Sequence, residues 1–257
     1  EIKRGSKRKI LEILIDADSS ISYKNFDVNN IQDKNREEIK ALLLEGGLWP
    51  FIKMRPIDII ANPQDTPKSI FISAFDSKPL APDYNFILHN KNKEFTKGIE
   101  ILSKLTDGKI NIQTRNVADD VFKQTKANVN IVSGPHPAGN IGVQAHKLDP
   151  INKGEVIWYI NPQDVAILGN FALTGTFDAT KIVALTGENS TEKKYFKTII
   201  GSRITSIVND VKENSRIISG NPLTGTKVEE DGFLGYYDSQ ITVLPEGDSY
   251  KFFLTQG

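Results

Sequence analysis

The stretch VNIVSGPHPAGNIGVQAH, which begins at Val129, contains residue types that bind phosphate or metal in other proteins. Gly134, Gly139 and Gly142 follow an apolar run that predicts a buried strand. Two of the three histidines of the chain lie in the same stretch. Glycine loops that follow strands often cradle phosphates, and histidine is a frequent ligand of zinc. The stretch therefore leaves three alternatives: a nucleotide loop, a metal site, or a shaped turn with neither role.

The glycine spacing argues against the standard phosphate loops. The glycines are spaced G-x4-G-x2-G, whereas the dinucleotide fingerprint requires G-x-G-x-x-G directly after a strand. After Gly139, Asn140 and Ile141 occupy the positions at which a P-loop has Lys and Ser or Thr. Pro135 and Pro137 carry no backbone N–H, and an anion nest needs such donors. We therefore predict a rigid turn at the carboxyl end of a strand, the place where open parallel sheets bind ligands.

The chain offers no recognisable catalytic, cofactor-binding or metal-binding set. His136 and His146 are ten residues apart, unlike the closely spaced histidine pairs of helical metal sites, and His89 is distant in sequence. We expect neutral histidines that bond to loop backbone. There is no cysteine, which removes disulfides, thiolate metal ligands, iron–sulfur clusters and cysteine nucleophiles. No G-x-S-x-G motif and no paired-carboxylate signature is present.

The segment EGGLWPFIKMRP combines two aromatic rings with two cations. Trp49 and Phe51 could stack a flat ring, with Lys53 and Arg55 at the rim of the pocket. The alternative is a helix stop followed by aromatic packing residues. If the first interpretation holds, the rings converge with the glycine loop at one edge of a sheet. The candidate pocket residues are then Trp49, Phe51, His136 and Gly139.

The elements that position these residues alternate between strands and helices, which predicts an α/β fold with a parallel sheet. A capping box at Asn35 and Glu38 opens the first helix. Strand and helix patterns then follow one another: strand 69–75, helix 93–106, strand 109–114, short helix 118–125, strand 129–134 and a further strand and helix within 154–175. Near Asp178 the pattern changes to paired strands at 181–187 and 193–200, a short helix within 201–211 and more strands. This second pattern predicts a small β-grasp-like module.

Composition limits the possible partners. The 257 residues allow one large domain or two ordinary ones. The 32 basic and 32 acidic residues balance, so no global field attracts nucleic acid or a membrane. No apolar run approaches the ~20 residues of a membrane span. The opening residues have no signal-peptide core, and we interpret the chain as an excised fragment that begins inside a domain.

Three long strings resemble the A subunit of the sodium-translocating NADH:quinone reductase of bacteria. They are LLLEGGLWPFIKMRPIDIIANPQDTPKSIFISAFDSKPLAPDYNFIL, VSGPHPAGNIGVQAHKLDP and RIISGNPLTGTKVEEDGFLGYYDSQITVLPEG. The resemblance implies three regions. Residues 1–23 would be a remnant of an N-terminal lipoyl-like barrel, and 24–178 a Rossmann-like domain similar to the flavin- and NADH-binding subunit of complex I. Residues 179–257 would form a soluble-ligand-binding β-grasp module with the strands that follow it.

The resemblance also implies a function. The flavin loop of the complex I relative corresponds here to EGGLWPF, where Trp49 and Pro50 replace small residues and obstruct a phosphate. It implies an oxidoreductase and translocase complex that couples NADH oxidation and quinone reduction to Na⁺ export, with flavins and iron–sulfur centres on other subunits. This chain would be a peripheral, mainly structural subunit on the cytoplasmic face of the inner membrane, inactive in isolation and partnered by the other subunits. The alternatives are a module that binds quinone or another small ring, and a free-standing nucleotide enzyme, which the failed phosphate motifs disfavour.

Overall fold

The structure, a computed structural model, describes residues 2–4, 10–16, 18, 20–115 and 120–248. The described residues form a six-stranded sheet, a five-stranded sheet and a two-stranded sheet, so the predicted α/β class is confirmed. The strands are β1 (Ile2–Arg4), β2 (Ile10–Ile13), β3 (Lys53–Arg55), β4 (Ile59–Ile60), β5 (Ser69–Ser73), β6 (Lys109–Thr114), β7 (Asn128–Ile131), β8 (Ile157–Tyr159), β9 (Thr180–Thr186), β10 (Lys194–Ile199), β11 (Ser215–Ser219), β12 (Thr226–Val228) and β13 (Gln240–Pro245). The helices are α1 (Arg36–Glu45), α2 (Tyr84–Ile87), α3 (Asn92–Ser103), α4 (Asp120–Lys123), α5 (Ile141–Leu148) and α6 (Pro162–Thr174).

The six-stranded sheet has the order β4-β3-β8-β5-β6-β7. Strands β8, β5, β6 and β7 are parallel, as the alternation of strands and helices predicted. Strands β3 and β4 add an antiparallel edge. Because the parallel strands share one direction, the loops that follow β5 and β7 meet at the same edge of the sheet, which we call the carboxyl edge.

Helices cover the sheet on both faces. α3 and α6 pack against the face that carries Ile70, Ile72 and Ile112, and this layer is the main core of the chain. On the other face, Ala145 of α5 packs against Phe71 and Ile157. A helix within the second half of the glycine stretch was not expected, because we interpreted that stretch as a strand followed by a loop. α5 forms there because those two buried side chains give its eight residues a surface to pack against.

The five-stranded sheet has the order β10-β9-β13-β11-β12, with β9 and β13 parallel. The paired strands that we predicted near 181–187 and 193–200 are β9 and β10. The short helix predicted within 201–211 forms as a 3₁₀ helix, Ile204–Ser206, and not as an α-helix. The segment is rich in β-branched residues, which disfavour the helix, and Ile204 and Ile207 are instead buried in the small core of this sheet.

Local signals explain where the first helix begins. The Asn35 side chain accepts from the Glu38 N–H at 3.0 Å, and the Glu38 carboxylate accepts from the Asn35 N–H at 2.7 Å. The predicted capping box is therefore confirmed. Near the amino end, β2 lies antiparallel to β1.

Acid will lower the stability of the fold, because several carboxylates that pair with basic side chains have lowered pKa values. Hydrogen bonds from Arg216 and Lys227 hold the pKa of Glu246 below its ordinary 4.5. A hydrogen bond from Arg36 lowers the pKa of Asp107 in the same way. Between the lowered and ordinary values the unfolded chain binds more protons than the folded chain. The stabilisation is therefore complete above about pH 4.5 and is lost as the pH falls through the lowered values.

Urea unfolding followed by circular dichroism between pH 2 and 6 tests this expectation. The urea midpoint should fall steadily below about pH 4.5. Glu246→Gln should flatten part of that slope, whereas Glu230→Gln, at an exposed glutamate after β12, should leave it unchanged. A midpoint that is constant from pH 6 to pH 3 would contradict the linkage.

Candidate functional site

The loops after β5 and β7 bind each other at the carboxyl edge. The Ser77 hydroxyl accepts a hydrogen bond from the Gly139 N–H at 2.7 Å and lies 3.2 Å from Nδ1 of His136. The Ser73 hydroxyl donates to the Phe75 carbonyl at 2.9 Å. A Cβ atom at Gly139 would overlap the backbone of the Ser77 loop, which explains the glycine. The geometry is that of a stiff turn.

Backbone donors in this loop already have protein partners. The N–H of Ala138 donates to the Pro135 carbonyl and that of Asn140 to the Pro137 carbonyl, both at 2.9 Å. Together with the Gly139 N–H, which bonds to Ser77, these are the groups that a phosphate would require. The arrangement supports the sequence-based argument against a phosphate nest.

The backbone N–H groups of the Gly46-Gly47 turn also have partners within the protein. The N–H groups of Gly46, Gly47 and Leu48 donate to the carbonyls of Leu42, Leu44 and Leu43, at 2.9, 3.2 and 2.9 Å. These bonds close the carboxyl end of α1, where the helix dipole presents partial negative charge. The residues present here therefore do not fit a flavin phosphate, which needs free donors and a positive field.

Trp49 and Phe51 lie in the core and are 3% and 2% exposed. The Trp49 indole N–H donates to the Ala61 carbonyl at 2.7 Å, and its ring meets the Trp158 ring edge to face at 5.4 Å. Phe51 stacks on Tyr236 with ring centroids 5.6 Å apart. The stacking partners expected of a ligand are thus supplied by the chain itself.

Among the described residues, no hydrogen bond or ring contact joins these two rings to the glycine loop. His136 and Gly139 lie with the β5 loop, whereas the two rings lie beside β8 and the loop before β13. At the expected rim, the Lys53 ammonium is 3.1 Å from the Asp58 carboxylate. A shared pocket of Trp49, Phe51, His136 and Gly139 stays a prediction. A ligand that stacks on Phe51 would first have to displace Tyr236.

The five-stranded sheet contacts the carboxyl edge. The Asp83 N–H donates to the Tyr195 hydroxyl at 2.8 Å, and the Tyr195 ring stacks on Phe86 with centroids 4.4 Å apart. The Gln163 side chain at the start of α6 bonds both the N–H and the carbonyl of Ile182 in β9, at 2.6 and 3.1 Å. A second part of the same chain therefore contacts the place where parallel sheets bind ligands.

A buried ion pair lies where the two sheets meet. The Lys181 ammonium is 3.1 Å from the Asp164 carboxylate, and the two side chains are 0% and 3% exposed. Burial raises the pKa of Asp164, and the Lys181 ammonium works against that rise. Nearby, burial and the negative charge of Asp76 raise the pKa of Tyr84, whose hydroxyl accepts from the Asn161 amide at 2.6 Å. These groups connect the sheets, and they do not form a nucleophile with its base.

A row of carboxamides on the sheet was missed by the sequence interpretation. Asn111 and Gln113 of β6 pair with Asn128 and Asn130 of β7, so all four lie on one face. Gln113 is fully buried, and its amide atoms have no hydrogen-bond partner in the described part of the chain. The signal was the alternation of polar residues in KINIQT and NVNI, which we had used only to predict strands.

The residues that the structure describes contain neither a metal-binding cluster nor a helix that could cross a membrane. Within 2–4, 10–16, 18, 20–115 and 120–248, no group of three or more His, Asp or Glu side chains could hold a metal ion. Over the same residues, no helix has both the length and the apolar composition needed to cross a membrane.

Comparisons with known proteins give the relatives of the chain. Residues 34–177 match the family described as "NqrA second alpha/beta domain", and residues 182–230 match "NQRA C-terminal domain". The curated relatives are A subunits of the Na⁺-translocating NADH-quinone reductase. The chain is 32% identical to that of Vibrio vulnificus strain YJ016, and 31% identical to those of Vibrio alginolyticus and Yersinia pseudotuberculosis. In each case the match covers 98% of this chain and 58% of the relative, so the chain spans somewhat more than half of their length.

The fold of the chain is similar to that of proteins of known structure. The chain resembles an NAD⁺-reducing [NiFe]-hydrogenase crystallised in the air-oxidised state, with a TM-score of 0.57 at 9% identity. The H₂-reduced state gives a TM-score of 0.54 at 10% identity. Both matches cover 88% of this chain and 52% of the hydrogenase chain. At this identity the likeness concerns the fold alone.

Proposed function

The chain belongs to the NqrA family, the A subunits of the Na⁺-translocating NADH-quinone reductase, and we propose that it serves that complex as a peripheral, mainly structural component. The complex is an oxidoreductase that couples NADH oxidation and quinone reduction to Na⁺ export. In the proposal this chain lies at the cytoplasmic face of the inner membrane and contacts the other subunits, including the membrane subunits. The flavins and iron–sulfur centres belong to those subunits.

The structural role is supported mainly by the contacts that parts of the chain make with each other at the carboxyl edge. The loops after β5 and β7, where a nucleotide could lie, are joined to each other by a hydrogen bond between Ser77 and Gly139. The second sheet contacts the same edge through Tyr195 and Gln163. The N–H groups of the Gly46-Gly47 turn close α1. The sequence contains no cysteine for an iron–sulfur cluster. A nucleotide-binding type of scaffold is thus stabilised by contacts at the places where its ligands would lie.

The finer description of the fold is part of the same proposal. We assign residues 24–178 to a Rossmann-like domain, supported by the four parallel strands with helices on both faces. We assign residues 179–257 to a β-grasp module, supported by the mixed five-stranded sheet with its parallel β9–β13 pair. The hydrogenase likeness agrees with two such regions in one chain.

An absorbance spectrum and a co-purification test the function. The purified chain should show no stoichiometric flavin band, and a flavin band would contradict the structural role. In bacteria that contain the complex, the tagged full-length protein should retain the other subunits on an affinity column. Its deletion should abolish assembly of the complex, and NADH:quinone activity with it. Normal assembly without the protein would reject the proposal.

A second candidate, binding of quinone or another small ring, is favoured by the stack on Phe51. Tyr236 covers that ring from an exposed loop and is itself 37% exposed, so a ligand ring could replace it. The Lys181 ammonium lies 6.0 Å from the centroid of Phe51. Calorimetry with a water-soluble quinone should then detect binding, which Tyr236→Ala strengthens by removing the competing ring and Trp49→Ala weakens. No binding to the native chain or to Tyr236→Ala at near-millimolar quinone would exclude this role for the chain alone.

A further inference from the structure

A cavity of about 800 Å³ opens at the amino ends of β5, β6 and β7, away from the carboxyl edge. Asn111, Asn128 and Asn130 line it, together with two exposed lysines, Lys109 and Lys123. Its size lies within the range of ligand-binding clefts in proteins. It is separate from the contacts between the two sheets.

The sheet face in the cavity is polar where a core would be apolar. The same face is apolar on β5 and β8, at Phe71 and Ile157, and α5 covers it there. On the next two strands, β6 and β7, the same face carries carboxamides. There Asn111 pairs with Asn128 and Gln113 with Asn130. The polar side chains therefore begin next to the part of the sheet that α5 covers.

Two of these carboxamides are buried without a partner. Asn111 is 7% exposed and lines the cavity, and no hydrogen bond to its side chain is found among the described residues. Gln113 is 0% exposed, and both of its amide atoms are unpaired. Native proteins pair most buried amides, so a carboxamide without a partner on a nearly buried residue is unusual. Asn111, unlike Gln113, lines the cavity, so a ligand there can supply the hydrogen bonds that the described residues do not.

The groups in the cavity define the chemistry of that ligand. A carboxamide both donates and accepts hydrogen bonds, which complements hydroxyl groups. Lys109 has no carboxylate partner within the described ranges and presents a positive charge at the start of β6. Lys68, by contrast, is held by Asp149 and Glu155 at 3.0 and 2.9 Å. We propose that this cavity binds a phosphorylated sugar, free or as part of a nucleotide, with its hydroxyls on the carboxamides and its phosphate towards Lys109.

Isothermal titration of the whole chain with ribose 5-phosphate, AMP and inorganic phosphate tests the site. Ribose 5-phosphate or AMP should bind, and the stronger of the two identifies the source of the sugar phosphate. Asn128→Ala and Lys109→Ala should each weaken that binding about tenfold, which corresponds to about 1.4 kcal/mol. The matched control is Lys93→Ala, at an exposed lysine on α3, which should leave the affinity unchanged.

Asn111→Leu gives a second readout that a packing role would not produce. The variant should lose ligand binding and yet unfold at a higher urea concentration than the native chain, because on a residue only 7% exposed an amide without a partner in the described chain is replaced by an apolar group of similar shape. A lower midpoint would show that Asn111 is structural and would overturn the proposal. Failure of both sugar phosphates to bind at near-millimolar concentration would overturn it too, as would inorganic phosphate binding as tightly as they do. Neither result bears on assembly of the reductase complex.

Discussion

Replacing Lys181 with methionine is expected to lower the free energy of unfolding by about 3–5 kcal/mol. The Lys181 ammonium is the cation that faces the buried Asp164 carboxylate, at 3.1 Å. Methionine keeps most of the apolar contacts of the lysine stem and removes the charge, so Asp164 is left buried and unpaired. Since domains of this size are stable by only about 5–15 kcal/mol, the loss is a large share of the total. Urea unfolding followed by circular dichroism measures it.

The pH dependence of the variant distinguishes charge from packing. Without the ammonium, burial raises the pKa of Asp164 further above its ordinary 3.8. The folded variant then binds a proton that the unfolded chain releases, so its stability falls as the pH rises through the raised value. Lys181→Met should therefore be more destabilised at pH 8 than at pH 5. An equal loss at both values would mean that packing, and not the pair, explains the effect.

The double variant Lys181→Met, Asp164→Leu is the matched control. It removes both charges together, and replacing a buried pair with apolar residues is often neutral or stabilising. We expect it to recover most of the stability that the single variant loses. If the double variant is as unstable as Lys181→Met alone, the two side chains do not act as a pair.

Elements whose signals are local could be predicted from the sequence. The capping box of Asn35 and Glu38 involves residues three apart, and the apolar stripe of α3 repeats every three or four residues. The same holds for β5, a short apolar run that is buried on both faces of its sheet. In these cases the residues that fix the element lie within it.

The roles of the aromatic residues could not be predicted in this way, because they depend on distant partners. From the sequence, Trp49 could be a pocket wall or a core residue. It is a core residue because its ring packs on Trp158 and its N–H donates to the Ala61 carbonyl. Phe51 is covered by Tyr236, which lies far along the chain. The carboxamide row likewise becomes visible only when the register of β6 and β7 brings Asn111 beside Asn128.

The packing of α3 against α6 depends on two glycines, one in each helix. A Cβ atom at Gly169 of α6 would overlap the Glu94 carbonyl of α3 and the backbone of Gly98. A Cβ atom at Gly98 would in turn overlap the Val165 carbonyl of α6. The backbones of α3 and α6 therefore touch, and neither position can accept a side chain unless the helices separate. Separation would open the core at Phe95 and Leu168, which are fully buried in this layer.

Gly169→Ala should consequently destabilise the chain by about 3 kcal/mol, at the upper end of the range for overpacking. Intrinsic helix propensity acts in the opposite direction, because alanine is favoured over glycine by about 1 kcal/mol inside a helix, and the steric term is expected to win. Urea unfolding measures the net effect. Leu173→Ala on the same helix is the control, since that side chain is 49% exposed and its truncation should change stability by less than about 1 kcal/mol. A Gly169→Ala variant as stable as the native chain would mean that propensity dominates and that α3 and α6 can separate without loss.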